Sequence, residues 1–149
     1  LRYFNVYGPG EERKGKMASM MRQLFLQMDQ DKNPRLFKYG EQKRDFVSVN
    51  FCVEFINNLK KTKIKNGLLN VGTGVAKTFF SFANDIMNVN KKNGEIEFID
   101  MPENLQNHYQ YYTKSENTKT SEVHKLLLDY NYLEDLKNIS QNIINQLDE

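Results

Sequence analysis

Apolar residues recur along the chain in two rhythms. Met17, Met20, Met21, Leu24, Phe25 and Met28 keep the i, i+3, i+4, i+7 spacing of an amphipathic helix. Helical spacing returns at Phe51, Phe55, Ile56 and Leu59, at Phe79, Phe82, Ala83 and Ile86, and in two closing stretches, Val123 to Leu128 and Leu133 to Leu147. Between these lie short apolar or alternating runs: Leu1 to Val6, RLFKYG, EQKRDFVSV, GLLNVGTG and EIEFID. Their length and bounding glycines predict strands. Gly8-Pro9-Gly10 marks a turn, Pro34 stops the first helix, and Thr78 stands where its hydroxyl can cap the helix that follows. Strands alternating with helices predict an α/β class. There are no internal repeats and no low-complexity linkers.

Composition narrows the class without naming a function. A chain of 149 residues is one domain's worth and buries about two thirds of its unfolded surface. Twenty-one basic against nineteen acidic residues leave a net charge of +2, too little to argue for nucleic acid. The basic run Lys60, Lys61, Lys63, Lys65 follows a helical stretch and reads as a solvated loop. A single cysteine, Cys52, excludes an internal disulfide framework and any multi-cysteine zinc site, and no metal is expected. It falls at helical spacing among apolar residues, so a buried thiol is expected rather than a nucleophile. No run approaches the roughly 20 apolar residues of a membrane span, and no signal peptide is seen, so the expected location is the cytoplasm.

Three motifs in order, RYFNVYGPG, RDFVSVN and LLNVGTG, resemble the C-terminal half of the extended short-chain dehydrogenase/reductases, enzymes that epimerise or dehydrate nucleotide sugars. Three further segments, ERKGKMASM, RLFKYGEQKRDFV and NHYQYYT, are similar to the ADP-glycero-manno-heptose 6-epimerase family, which serves lipopolysaccharide heptose supply. The likeness runs from Leu1 to the last helix. It implies remnant strands and helices of a Rossmann-type parallel sheet plus a small mixed α/β substrate-binding domain. Residues 1–15 and 44–90 are expected in the nucleotide-binding part, and 16–43 and 91–149 in the substrate-binding part. It also implies an upstream half, ADP-heptose as substrate, NADP as cofactor with most contacts in that half, and a homo-oligomeric parent. The chain alone is then expected to be inactive and prone to aggregate through unpaired strand edges.

Two signatures of such enzymes find only false echoes. GTGVAK follows a strand but lacks the third glycine and the phosphate-facing helix of a dinucleotide turn. Tyr39-Gly-Glu-Gln-Lys43 has the spacing of a Tyr-x-x-x-Lys pair, yet its glycine and preceding strand do not suit a helix.

The resemblance assigns roles residue by residue. Lys14 is implied as a second catalytic base that also lies against the cofactor. Epimerisation through a ketone delivers hydride to either face, so each mirror-related alcohol needs its own proton acceptor, and a lysine serves only if its pKa is depressed. The alternative for Lys14 is a solvated cation in ERKGK. Val6 is implied against NADP and Asn5 against the sugar, both at a strand's end where α/β folds place ligands. Arg44 is implied as a diphosphate clamp, since its planar fork matches phosphate oxygens; the alternative is an ion pair with Asp45. Phe37, Lys38, Tyr39 and Gly40 frame the nucleotide in the family, and Tyr109 is a further substrate contact, with packing as the alternative for Phe37 and Tyr109. Lys16 and Gln23 are substrate positions where the family carries Ser and His. Asn50 replaces an aspartate, and the loop before Arg44 is one residue shorter. Other sugar-nucleotide epimerases or dehydratases, and a non-catalytic assembly module, remain open at this point.

Overall fold

The structure, a computed structural model, describes residues 1–30 and 32–147. The opening strand is broken in two. β1 (Arg2–Tyr3) and β2 (Asn5–Tyr7) are separated at Phe4, whose carbonyl accepts from the Val6 N–H at 2.8 Å. After a 3-10 segment (Glu12–Met17) comes α1 (Met20–Asp29), then β3 (Arg35–Phe37), β4 (Lys43–Arg44), β5 (Phe46–Ser48) and α2 (Val49–Leu59). The chain continues through β6 (Asn70–Val71), β7 (Lys77–Thr78), α3 (Phe79–Val89) and β8 (Glu97–Ile99). It closes with α4 (Glu103–Gln106), a 3-10 turn (Thr118–Thr120), α5 (Ser121–Lys125) and α6 (Tyr132–Leu147).

The strands pair in four two-stranded ladders. Three are parallel: β1 with β6, β2 with β5 in the register Asn5–Phe46 to Tyr7–Ser48, and β3 with β8. β4 and β7 pair antiparallel. The kink at Phe4 hands the opening strand from one partner to the next, which periodicity along one strand does not encode. The mixed α/β class expected from the sequence is the class observed.

Hydroxyls start three helices. Ser19 Oγ accepts from Arg22 N–H at 3.3 Å, Ser48 Oγ from Phe51 N–H at 2.9 Å, and Thr78 Oγ1 from Ser81 N–H at 3.0 Å. The cap at Ser19 explains one correction. Met17 was expected on the apolar face of the first helix, but the helix begins only after Ser19. Met17 therefore sits on the 3-10 segment, 86% exposed.

Two apolar clusters form the core. The first joins Met21, Leu24 and Phe25 of α1, Phe82 and Ile86 of α3, and Leu136, Ile139 and Ile143 of α6, with Tyr7, Leu36 and Phe46 from the strands. The second packs Val47, Val71 and Val123 against Phe51, Cys52 and Phe55 of α2. Successive residues of a strand face opposite ways, so β5 feeds both clusters, Phe46 into one and Val47 into the other. Cys52 is buried as expected, and burial pushes its thiol pKa up to about 11, away from nucleophile chemistry. Across the chain, α3 packs with α1 and α6, while Val123 joins α2.

Candidate active site

Tyr7, Phe37 and Ile99 are the last residues of β2, β3 and β8, and all three open onto one cavity of about 550 Å³. A site at the carboxyl ends of parallel strands is where open α/β sheets put ligands. The 3-10 segment, the turn after it and the start of α1 also line it, through Lys14, Ala18, Ser19 and Gln23.

Seven of the residues expected from the sequence line this cavity: Asn5, Val6, Lys14, Gln23, Phe37, Arg44 and Tyr109. The Asn5 amide nitrogen donates to Asp45 C=O at 3.3 Å and Thr113 Oγ1 at 3.1 Å, and its oxygen has no donor among the described residues. Arg44 lies between two rings, with its guanidinium carbon 5.5 Å from the Phe79 centroid and 5.6 Å from that of Tyr109. It donates to Lys43 C=O at 2.9 Å and to Gln110 C=O. Burial pulls the Arg44 pKa down, partly offset by Tyr109; burial pushes Tyr109 up, partly offset by Arg44. Phe37 meets Tyr109 edge-on at 6.1 Å. The alternative of an Arg44–Asp45 ion pair is not formed, because the Asp45 carboxylate faces elsewhere.

The other expected positions fall outside the cavity lining. Lys16 is exposed, and its carbonyl accepts from Gln23 Nε2 at 3.3 Å. Lys38 pairs with Asp100 at 2.8 Å on the surface. Tyr39 is 63% exposed and packs its ring on Phe98 at 5.7 Å. Gly40 makes the turn after β3 at φ 69°, where an added Cβ would come within 3.1 Å of the Phe80 backbone. Tyr39 and Lys43 lie on a turn and a strand, not on one helix face. Gln23 does line the cavity, but its amide nitrogen is already engaged by Ala18 C=O at 2.8 Å.

The GTG turn has a physical reason not to hold phosphate. Its Thr73 and Gly74 N–H groups donate to the buried Asp45 carboxylate at 2.9 and 2.8 Å, alongside Thr73 Oγ1 at 2.6 Å and Ser115 N–H at 3.0 Å. An internal anion already occupies the donors that a phosphate would need.

Sequence reasoning missed two residues at the cavity. Glu11 is buried and accepts from Ser19 N–H at 2.7 Å, Ser19 Oγ at 2.6 Å, Lys14 Nζ at 3.2 Å and Gly8 N–H at 3.4 Å. Burial alone would raise its carboxyl, but the hydrogen bonds from Ser19 and Lys14 outweigh burial and hold its pKa below the ordinary value. Arg35 adds another guanidinium at the rim, paired with Glu97 across the β3–β8 ladder at 3.3 Å. Nothing in GEERKGK marks one acidic residue as buried among its charged neighbours. A parallel partner for Arg35 is invisible without the pairing.

The residues present fit only one end of a dinucleotide cofactor. Val6, in the middle of β2, lines the cavity while its half-buried side chain packs with the second apolar cluster, an apolar edge that suits a nicotinamide ring. The donors of the glycine turn are taken, so the pyrophosphate finds no cradle there.

Comparison with known proteins agrees with this geometry. Residues 1–72 match the NAD dependent epimerase/dehydratase family. The chain is 37% identical over 136 residues to ADP-L-glycero-D-manno-heptose-6-epimerase of Fusobacterium nucleatum subsp. nucleatum, covering 83% of this chain and 41% of that protein. It is similar to the crystal structure of the Helicobacter pylori ADP-L-glycero-D-manno-heptose-6-epimerase, with a TM-score of 0.70 and 32% identity over 99% of this chain and 43% of the other. UDP-N-acetylglucosamine 4-epimerase from Methanobrevibacter ruminantium M1 shares the fold, with a TM-score of 0.79 at 20% identity over 98% of this chain and 46% of the other. The chain thus spans less than half the length of these relatives. Residues 1–72, which carry Asn5, Lys14, Phe37 and Arg44 of the cavity, thus match the NAD dependent epimerase/dehydratase family.

Proposed function

We propose that this chain is the substrate-facing portion of a nucleotide-sugar epimerase that inverts C6 of ADP-glycero-manno-heptose. It works with an upstream nucleotide-binding half, in a cytoplasmic homo-oligomer. The observation that carries this reading is the convergence of Lys14, Asn5, Arg44 and Tyr109 on one cavity at the ends of parallel strands, in a chain 37% identical to an enzyme of that name. A bound nicotinamide cofactor, NADP in our reading, supplies the oxidation and re-reduction of the sugar carbon.

The chain's own residues bind, orient and manage protons. Arg44, with its guanidinium over the Phe79 and Tyr109 rings, offers the diphosphate the N–H groups it does not donate to Lys43 and Gln110 C=O. Tyr109 and Phe37 give the nucleotide an aromatic wall. Asn5 accepts from a sugar hydroxyl through its free oxygen. Lys14, on the cavity lining, accepts the hydroxyl proton of one epimer and returns it, while a base from the upstream half serves the mirror-related alcohol.

The test is an epimerisation assay with ADP-heptose, using this chain alone, the upstream half alone, and both together. Turnover only with both halves is the expected result. Turnover by neither alone nor together, with turnover of a UDP- or GDP-sugar instead, would keep the fold and replace the substrate. Exchange of NADP for NAD in the same assay tests the cofactor.

A further inference from the structure

Lys14 stands on a segment with little to hold it. Every residue from Glu12 to Met17 is exposed, and Gly15 breaks the 3-10 geometry at φ 50°. The Lys14 side chain itself is 55% exposed. A four-carbon stem in such a place samples many rotamers and has no reason to face the cavity. The partner that meets its ammonium is Glu11, whose own side chain is only 5% exposed. One end of this pair is therefore fixed in the protein, unlike an ordinary surface ion pair whose two ends both move.

Glu11 is fixed by what else it holds. One oxygen accepts from Ser19 Oγ and from Gly8 N–H, and the other from Ser19 N–H and Lys14 Nζ. Gly8 lies just past the end of β2, and Ser19 caps α1. A single carboxylate thus ties the cavity floor, the helix that walls it and the lysine between them. The hydrogen bonds to Ser19 close the base of the loop across eight residues, so the loop keeps its ends while its tip is free.

We propose that Glu11 is the positioning residue for Lys14: the charge of this buried carboxylate holds the lysine ammonium at the cavity, and without that charge the side chain moves into solvent. The catalytic meaning of this rests on the reading of Lys14 as a base, and a carboxylate partner favours the ammonium over the neutral amine a base needs. The contact itself does not rest on that reading, so the two can fail separately.

The experiment reads Lys14 directly in the 149-residue chain. Lysines are acetylated with limiting reagent at fixed pH, and the rate at Lys14 is measured by peptide mass relative to exposed Lys125. Glu11→Gln keeps the shape and removes the charge. Its oxygen can still accept from Ser19 N–H, and its amide can donate to Ser19 Oγ, a hydroxyl able to reverse its role. The expected result is a rise of about threefold to fivefold in the Lys14 ratio, the scale of a lost ion pair anchored at one end. An unchanged ratio in a folded Glu11→Gln chain overturns the proposal. Ser19→Ala is the second arm. It removes one of the two hydrogen bonds that close the loop and leaves the carboxylate charged, so the ratio should stay near its original value; if Glu11→Gln does not fold, a rise of about threefold or more in Ser19→Ala overturns the proposal. A rise in Ser19→Ala as large as that in Glu11→Gln would show that loop order, not charge, controls the lysine, and would also overturn it. A purely structural Glu11 would shift the melting temperature and leave the ratio alone.

Discussion

Two buried carboxylates use the same device for different ends. Asp45 and Glu11 each accept four hydrogen bonds, and each joins segments distant in sequence or in direction. The donors of Asp45 are three backbone N–H groups and a threonine hydroxyl, with no cation paired to it among the described residues. Its role is to fasten the Thr73–Gly74 turn and Ser115 to the β4–β5 junction. At Glu11 one of the four donors is a lysine that faces a cavity. Full satisfaction by neutral donors makes a structural tie. Exchanging one of them for a mobile charge makes a site.

The largest effect should come from breaking the tie. Asp45→Ala leaves three backbone N–H groups and a hydroxyl without their acceptor in the interior, and should lower stability by about 3 to 5 kcal/mol, read as a fall in the urea midpoint. Asp45→Asn should also destabilise, because its amide would oppose an N–H. Equal stability of both variants with the parent would show that water replaces the carboxylate, and the contrast with Glu11 would collapse.

Glu11→Gln should cost less, about 1 kcal/mol, since its shape and half its hydrogen bonding survive. It should also change the pH dependence. The folded-state pKa of Glu11 lies below the ordinary 4.5, so its contribution is present above the unfolded value and is lost as pH falls through the folded one. Urea midpoints should therefore decline below about pH 4.5 in the parent, and less steeply in Glu11→Gln.

Tyr7 sharpens the comparison from the other side. Its buried hydroxyl has no hydrogen-bond partner among the described residues, so Tyr7→Phe should be neutral or stabilising by up to about 1 kcal/mol. A loss of stability would reveal a bridging water there. Smallest of all, Lys14→Met should change stability by no more than about 0.5 kcal/mol, because the lysine end of its pair is exposed.

Local chemistry was legible where a residue acts on its near neighbours. Thr78 was expected to cap a helix and does so at 3.0 Å from Ser81 N–H. Phe82, Ala83 and Ile86 were expected on one face and are buried together. The cavity residues Asn5, Val6, Lys14, Arg44 and Tyr109 came from the resemblance, since by periodicity alone Val6 is core and Lys14 is surface. The illegible parts depend on distant partners. Asp45 meets donors 28 to 70 residues away, and in KRDF it reads as one more surface charge. Lys38, Tyr39 and Gly40 continue the β3 motif in sequence, but the turn at Gly40 carries Lys38 and Tyr39 onto the surface. Met17 fits the helical spacing, yet a serine cap two residues later decides where the helix starts.

The most direct test of the account is ADP-heptose epimerisation by the assembled enzyme with Lys14→Met in this chain. Because that change should leave the fold intact, a fall of about 100-fold or more in kcat, with KM little altered, is the predicted result. Full activity in the folded variant would make Lys14 a solvated charge and contradict the assignment of a second base to this cavity.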